Sequence, residues 1–451
     1  MLPVALSSQV DALWSAFVES GTSPLEAVEQ VTGLIADRDI GATGIRSPEL
    51  LDTAMAFLDS AQMQDPTIQG KAYEYLIGKL VTSQSDPIVT PRHIIRLIID
   101  MVEPTSDDTI IDPSVGTGGF LVAAGEYLRD HHPRLWLDAA VRENLDSTTF
   151  TGVDSDASMC AIASMNLRLH GIQRPAISHR DALAADGAGP SVGSFSLLLA
   201  NPPFGGIHDA DVTATELLKV AGTKKSELLF LVRALHLLSD RGRAAIIVPD
   251  SVLYGTSKAH IAVRRMLVEE HSLEGVVRLP AGVFRPTSGI STSILLFRKE
   301  GVTDSVWFYD VRADGFTLDD ERSPAEADDL PDVVARWRSL PAASALPDGP
   351  AEPGVDASRG STATRARGAQ SFLVPRAEIA EQGYDLTFTR YGLVFAERIA
   401  HRAPNEILID VTRLELKIQQ AAAALARSLN EPIDPPWSSP RSRDSDAGRQ
   451  Q

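Results

Sequence analysis

From about residue 86 onward the sequence alternates short β-rich runs with stretches of helical apolar periodicity, and no other feature narrows the possible folds as far. The runs are Thr109-Ile110-Ile111, Phe150-Thr151-Gly152-Val153, Ala176-Ile177-Ser178, Ser196-Leu197-Leu198-Leu199-Ala200, Ala244-Ala245-Ile246-Ile247-Val248, Gly275-Val276-Val277-Arg278-Leu279 and Ser293-Ile294-Leu295-Leu296-Phe297. Strands that alternate with helices imply a mostly parallel sheet, because each crossover between parallel strands lays a helix on one face or the other. A doubly wound α/β core is therefore expected over residues 86–340. Residues 1–85 instead repeat helical apolar patterns (Val10, Leu13, Trp14, Phe17; Leu50, Leu51, Met55, Leu58) and are expected to form a helical N-terminal domain.

Beyond the core, residues 341–370 are rich in Pro, Ala, Gly, Ser and Asp and read as a flexible linker, since so little apolar surface cannot offset the entropy of ordering. Residues 371–430 read as a C-terminal helical extension. There Ile407, Val411, Leu414, Ile418, Ala421 and Leu425 recur at four-three spacing, which suits either packing on the chain's own domain or docking a partner subunit. Residues 431–451 read as a disordered tail.

Composition bounds the function. At 451 residues and 43% hydrophobic content the chain can bury a sizeable core. No apolar stretch approaches the roughly 18 residues of a membrane span, and the start Met-Leu-Pro-Val-Ala-Leu-Ser lacks a secretory signal, so a cytoplasmic protein without membrane association is expected. The single cysteine, Cys160, excludes an internal disulfide and reads as a buried structural thiol. The ten histidines show no metal-ligand spacing, and no metal is expected. A formal charge of −18 opposes unaided binding to nucleic acid, whose phosphates need clustered Lys and Arg. Any DNA-binding reading requires either basic residues gathered on one face or a partner that supplies the phosphate contacts.

Three features carry chemistry. Asp112-Pro113-Ser114-Val115-Gly116-Thr117-Gly118-Gly119-Phe120 follows a strand and opens a helix, and its glycines let backbone pass close to a ligand at the carboxyl edge of the sheet. It departs from the Gly-x-Gly-x-x-Gly dinucleotide pattern, and its leading acid suits a ligand with an ammonium group and no pyrophosphate. Two acids, Asp154 and Asp181, stand where the next two strands end; there they can accept ribose hydroxyls and an adenine amino group, or simply cap turns. The stretch from about 130 to 149 reads as an insertion. Most specific is Leu197-Leu198-Leu199-Ala200-Asn201-Pro202-Pro203-Phe204-Gly205, a buried strand opening into a turn whose two prolines remove N–H donors and leave acceptors beside Asn201. The Asn201 side-chain oxygen and the Pro202 carbonyl can hold both hydrogens of an exocyclic amine, and Phe204 offers a face for an extruded base.

With Thr90-Pro91-Arg92-His93-Ile94-Ile95 upstream, these elements occur in the order of the gamma class of amino-methyltransferases. The chain resembles the N6-adenine modification subunits of type I restriction-modification systems, from about residue 70 to 340 and again at Gly383-Tyr384-Asp385-Leu386. Lys224-Lys225-Ser226-Glu227, Gly242-Arg243-Ala244, Phe284-Arg285-Pro286-Thr287 and Trp307-Phe308-Tyr309-Asp310 add to the likeness. The resemblance implies a Rossmann-like core using S-adenosylmethionine. Thr90, Pro91 and Arg92 would lie at the cofactor's methionine end, and Asp112, Pro113, Gly116, Thr117, Gly118 and Gly119 would form its turn. Asp154 would bind ribose, Asp181 the cofactor adenine, and Asn201, Pro202, Pro203 and Phe204 the target adenine. The family pattern is departed from at Ser114-Val115 and at Thr387, neither of which removes a group given a chemical role.

The resemblance also implies double-stranded DNA as substrate and a hetero-oligomer holding two modification subunits and a specificity subunit, with a restriction nuclease as an optional member. Related turns serve enzymes that methylate protein glutamine or ribosomal RNA, and a cofactor-binding assembly subunit without turnover is a further alternative. Asp410, Glu415 and Lys417 superficially spell a nuclease signature but fall on the heptad pattern.

Overall fold

A computed structural model describes residues 3–37, 45, 47–60, 63, 65–82, 89–133, 143, 149–184, 190–209, 213–340 and 370–392. The expected linker, the heptad pattern, the tail and most of the expected insertion lie outside these residues. Four helices come first: α1 (Val4–Glu19), α2 (Pro24–Asp37), α3 (Pro48–Leu58) and α4 (Pro66–Thr82). Ser47 caps α3, accepting from the Leu50 N–H, with Pro48 pre-setting the first turn. Their apolar faces meet in one cluster of Leu6, Val10, Leu13, Phe17, Val28, Leu34, Tyr73 and Leu76.

The alternating region follows as α5 (Arg92–Val102), β1 (Ile110–Asp112), α6 (Gly119–His131), β2 (Phe150–Asp154), α7 (Ala157–Leu169), β3 (Ala176–His179) and β4 (Phe195–Ala200). Then come α8 (Thr215–Ala221), α9 (Ser226–Leu237), β5 (Leu238–Pro249), α10 (Ser251–Tyr254), α11 (Lys258–Glu269), β6 (Ser272–Arg278), β7 (Thr292–Arg298) and β8 (Ser305–Asp310). A hairpin of β9 (Asp314–Phe316) and β10 (Pro324–Asp328) leads to α12 (Leu330–Arg338), and the described chain ends with β11 (Ser371–Pro375), α13 (Arg376–Glu381) and α14 (Phe388–Tyr391).

All seven β-rich runs are strands of one sheet, ordered β11-β8-β6-β7-β5-β4-β1-β2-β3. Pairing is parallel from β5 through β4, β1 and β2 to β3; β7 lies antiparallel between β5 and β6, and β11 antiparallel to β8. Apolar side chains on the two faces feed separate clusters, one around α9 and α11 (Leu228, Leu231, Leu267) and one around α5 and α6 (Ile94, Ile98, Leu121, Leu128), as double winding requires.

Two findings modify the expected organisation. Met159, Ile162 and Met165 on α7 belong to the apolar cluster of α1–α4, so the N-terminal helices share their core with a helix of the sheet region. Residues 371–375, expected within a helical extension, are instead an edge strand of the main sheet: Phe372 stacks on Phe308, with ring centroids 5.8 Å apart. Phe372, Val374, Ile379, Leu386 and Phe388 complete the core cluster on that face. Cys160 is buried and free, as expected, and burial pushes its thiol up to about 11. Among the described residues no helix is long and apolar enough to cross a membrane.

At the amino edge of the sheet Arg243 makes two parallel hydrogen bonds of 2.8 Å to buried Asp108, whose carboxylate also accepts from Ser196 Oγ at 2.6 Å. Removing one partner of a buried pair strands the other charge, which typically costs about 3–5 kcal/mol. Asp108→Ala is therefore expected to lower the urea midpoint of unfolding by far more than Arg285→Ala, which breaks the exposed pair with Asp320.

Candidate active site

The strand order places β1 between β2 and β4, so the chain leaves β1 in one direction and returns on its other side. Such a reversal opens a crevice at the carboxyl ends of the two strands, where open α/β folds bind ligands. A cleft of about 420 Å³, open to solvent, lies there, lined by Val89, Thr90, Ile95, Asp112, Ser114–Thr117, Gly119, Phe120, Met159 and Asn201.

One wall is the turn from β1 into α6. Its backbone is held by Val115 N–H donating to the Val153 carbonyl at 2.9 Å and by buried Asn166 on α7, whose Nδ2 donates to the Thr117 carbonyl at 3.0 Å. Gly118 takes φ +80°, and a Cβ there would meet the Ala163 backbone at 3.3 Å, so the turn needs glycine for both conformation and space. Gly116, at φ +50°, donates its N–H to Asp154 Oδ2 at 2.9 Å. Asp154 ends β2, and its other oxygen accepts from Asp156 N–H at 3.0 Å; burial raises its carboxyl above the ordinary range. Asp112 ends β1 and is 1% exposed, its Oδ1 accepting from Ser114 N–H at 3.0 Å. Burial, reinforced by the nearby Asp154 charge, pushes the Asp112 carboxyl up to about 8.

The opposite wall is the end of β4. Asn201 Nδ2 donates to Thr90 Oγ1 at 2.9 Å, which fixes the carboxamide and ties the strand end to the segment entering α5. Asn201 Oδ1 is buried with no hydrogen-bond partner. An unpaired buried acceptor costs about 1–3 kcal/mol and is expected where a ligand supplies the missing donor. Phe204 is half-buried three residues on, set edge to face against Phe284 with centroids 6.3 Å apart.

Of the residues singled out in the sequence, Thr90, Asp112, Gly116, Thr117, Gly119 and Asn201 line the one cleft, with Pro113 and Gly118 within its turn. Asp154 joins them through its bond to Gly116. Asp181, after β3, is not among the lining residues; its Oδ1 accepts from Leu183 N–H at 2.9 Å, and Oδ2 lies 3.7 Å from His208 Nδ1. Pro91 is the N-cap of α5, but the Arg92 guanidinium is engaged by Glu74 and Glu126 and does not line the cleft. Sequence reading missed the Thr90–Asn201 bond and the supporting Asn166, because each joins distant parts of the chain.

The sequence profile of the N-6 DNA methylase family matches residues 64–400, and the chain belongs to that family. It is 30% identical over 254 residues to the methylase subunit of the type I restriction enzyme EcoEI of Escherichia coli, covering 56% of this chain and 51% of that protein. To the EcoKI methylase subunit of Escherichia coli K12 it is 31% identical over 261 residues, covering 54% and 48%. The chain thus spans about half the length of the curated relatives it matches. Its fold is that of a type I restriction-modification methyltransferase subunit from Streptococcus thermophilus, with a TM-score of 0.59 at 22% identity, covering 86% of this chain and 80% of that one.

The raised Asp112 carboxyl has a consequence for stability. The folded chain keeps a proton that the unfolded chain releases near pH 4, so Asp112 favours the folded state at low pH and this contribution is lost as pH rises toward about 8. Asp112→Asn, which cannot ionise, is expected to gain stability relative to wild type between pH 5 and 8. Melting temperatures across that range check it; a constant difference contradicts it.

Proposed function

We propose that this chain is the modification subunit of a type I-like restriction-modification system, transferring a methyl group from S-adenosylmethionine to N6 of adenine in double-stranded DNA. The observation that carries the reading is Asn201: its amide nitrogen is held by Thr90 while its buried oxygen lacks a donor, inside the cleft that Asp112 and the glycine turn also line.

Those residues suit the cofactor. Bound there, S-adenosylmethionine supplies a methyl group already activated on a sulfonium. Asp112 offers a buried carboxyl that a neighbouring ammonium group would draw into its ionised form. Gly116 and Gly119 offer the cleft backbone without side chains, and Asp154, held by the Gly116 and Asp156 amides, would accept ribose hydroxyls. Asp181 is assigned to the adenine of the cofactor.

An exocyclic adenine amine is a weak nucleophile, because its lone pair is delocalised into the ring. Asn201 Oδ1 and the Pro202 carbonyl accept its two hydrogens, hold the nitrogen in one orientation and favour its tetrahedral form. Phe204, braced by Phe284, stacks on the base once it leaves the helix. Catalysis on this account is positioning with electrostatic alignment, with no covalent intermediate on the protein and no general-base triad.

A separate specificity subunit, and an assembly with two modification subunits, are part of the proposal. Two observations support them: the relatives are subunits of type I restriction enzymes, and a chain of net charge −18 needs help with phosphate contacts. A restriction nuclease is an optional further member, and a DNA substrate makes the cytoplasm the site of action.

The test is tritiated-methyl transfer from S-adenosylmethionine to DNA lacking adenine methylation, with the chain co-purified with its specificity subunit. Label should appear in N6-methyladenine, fall by at least about 10²-fold in Asn201→Ala, and fall about tenfold in Thr90→Val, mainly in kcat. Label on protein or ribosomal RNA instead, or cofactor binding without transfer to any acceptor, would overturn the reading.

A further inference from the structure

Away from the cleft, three elements bring Glu74 (α4), Glu126 (α6) and His170 (the C-cap of α7) together. Their donor atoms all lie within 4.8 Å of one another. His170 is 8% exposed. Its Nδ1 lies 2.8 Å from the Asn166 carbonyl, an acceptor, so Nδ1 carries the hydrogen and Nε2 presents a lone pair. That Nε2 is buried without a hydrogen-bond partner, and it faces Glu74 Oε2 at 3.7 Å and Glu126 Oε1 at 4.0 Å. Arg92 takes the two remaining carboxylate oxygens, Glu74 Oε1 and Glu126 Oε2, the latter at 2.6 Å. Gly70 on α4 completes the enclosure, since a Cβ there would lie 3.0 Å from both Cε1 and Nε2 of the imidazole.

A lone pair turned toward two carboxylates calls for a positive centre between them. A proton on Nε2 serves poorly, because separations of 3.7 and 4.0 Å exceed hydrogen-bond range. A metal ion about 2.0–2.2 Å from each donor bridges such separations. We propose that Glu74 Oε2, Glu126 Oε1 and His170 Nε2 bind one divalent transition-metal ion of the zinc class, with Arg92 bracing the far oxygens of both carboxylates. Mixed imidazole and carboxylate ligation favours such an ion over magnesium or calcium, which prefer oxygen alone. Partners that orient the ligands from behind are a regular feature of metal sites, and Arg92 and the Asn166 carbonyl fill that place here. The ion pins α4 to α6 and α7 beside the entry to α5, two residues from Thr90. The inference is independent of the methyl-transfer proposal, because none of its three ligands lines the cleft.

The full-length chain, stripped with EDTA and desalted, is titrated with Zn²⁺ by calorimetry and with Co²⁺ by visible absorption. One ion should bind per chain, raise the melting temperature, and bind at least about tenfold more weakly to Glu126→Gln and to His170→Gln. Glu126 is partly exposed, so Glu126→Gln decides the matter if His170→Gln does not fold. No saturable binding of either ion to the wild-type chain, or binding unchanged in Glu126→Gln, overturns the proposal.

Discussion

The parallel pairing of β1 with β2 on one side and β4 on the other is the constraint on which the site depends. Ile110 is in register with both Phe150 and Leu197, so the three strands end at one edge. Asp112, Asp154 and Asn201 are the residues at or just past those ends, which brings chemistry from three distant parts of the sequence to one line without any local motif encoding the meeting. The chain direction reverses between β1 and β4, so no crossover helix covers that edge and the crevice stays open. Burial then sets the electrostatics. Asp112 is deep enough that its carboxyl is pushed up to about 8, whereas Asp154 keeps two backbone donors that offset part of its burial.

The two walls differ in how they are made rigid. The glycine turn is held by backbone hydrogen bonds and by Asn166 from behind. The Asn201 wall is held by one side-chain bond to Thr90, and the prolines that follow stiffen the backbone without offering donors. Acceptors on both walls, Asp112 and Asp154 on the first and Asn201 Oδ1 on the second, suit two different ligands meeting in one cleft, one presenting an ammonium group and ribose hydroxyls and one presenting an amine.

Most of this was legible in the sequence, for reasons that are physical. The central runs such as 197–200 and 244–248 were legible because a strand buried on both faces must be apolar on both, which leaves a short continuous apolar run; β3, at the sheet's edge, is only partly buried. Asn201-Pro202-Pro203-Phe204 was legible because paired prolines dictate backbone regardless of context. What stayed hidden depends on long-range partners. β11 is five residues emerging from a low-complexity stretch, and only its pairing with Trp307, Phe308 and Tyr309, far earlier in the chain, makes it a strand. Arg92 sits beside Thr90 and Pro91 in sequence, yet on entering α5 its side chain turns toward Glu74 and Glu126 and away from the cleft. His170 likewise carried no ligand spacing, since its neighbours come from α4 and α6.

The central claim is that one cleft at the β1–β4 reversal holds the cofactor against the Asn201 acceptor. A crystal structure of the chain with S-adenosylhomocysteine tests it most directly. The account predicts the ligand along the Asp112–Gly118 turn, its ribose hydroxyls on Asp154 and its sulfur facing Asn201. Ligand bound elsewhere, or bound with its sulfur turned from Asn201, would contradict it.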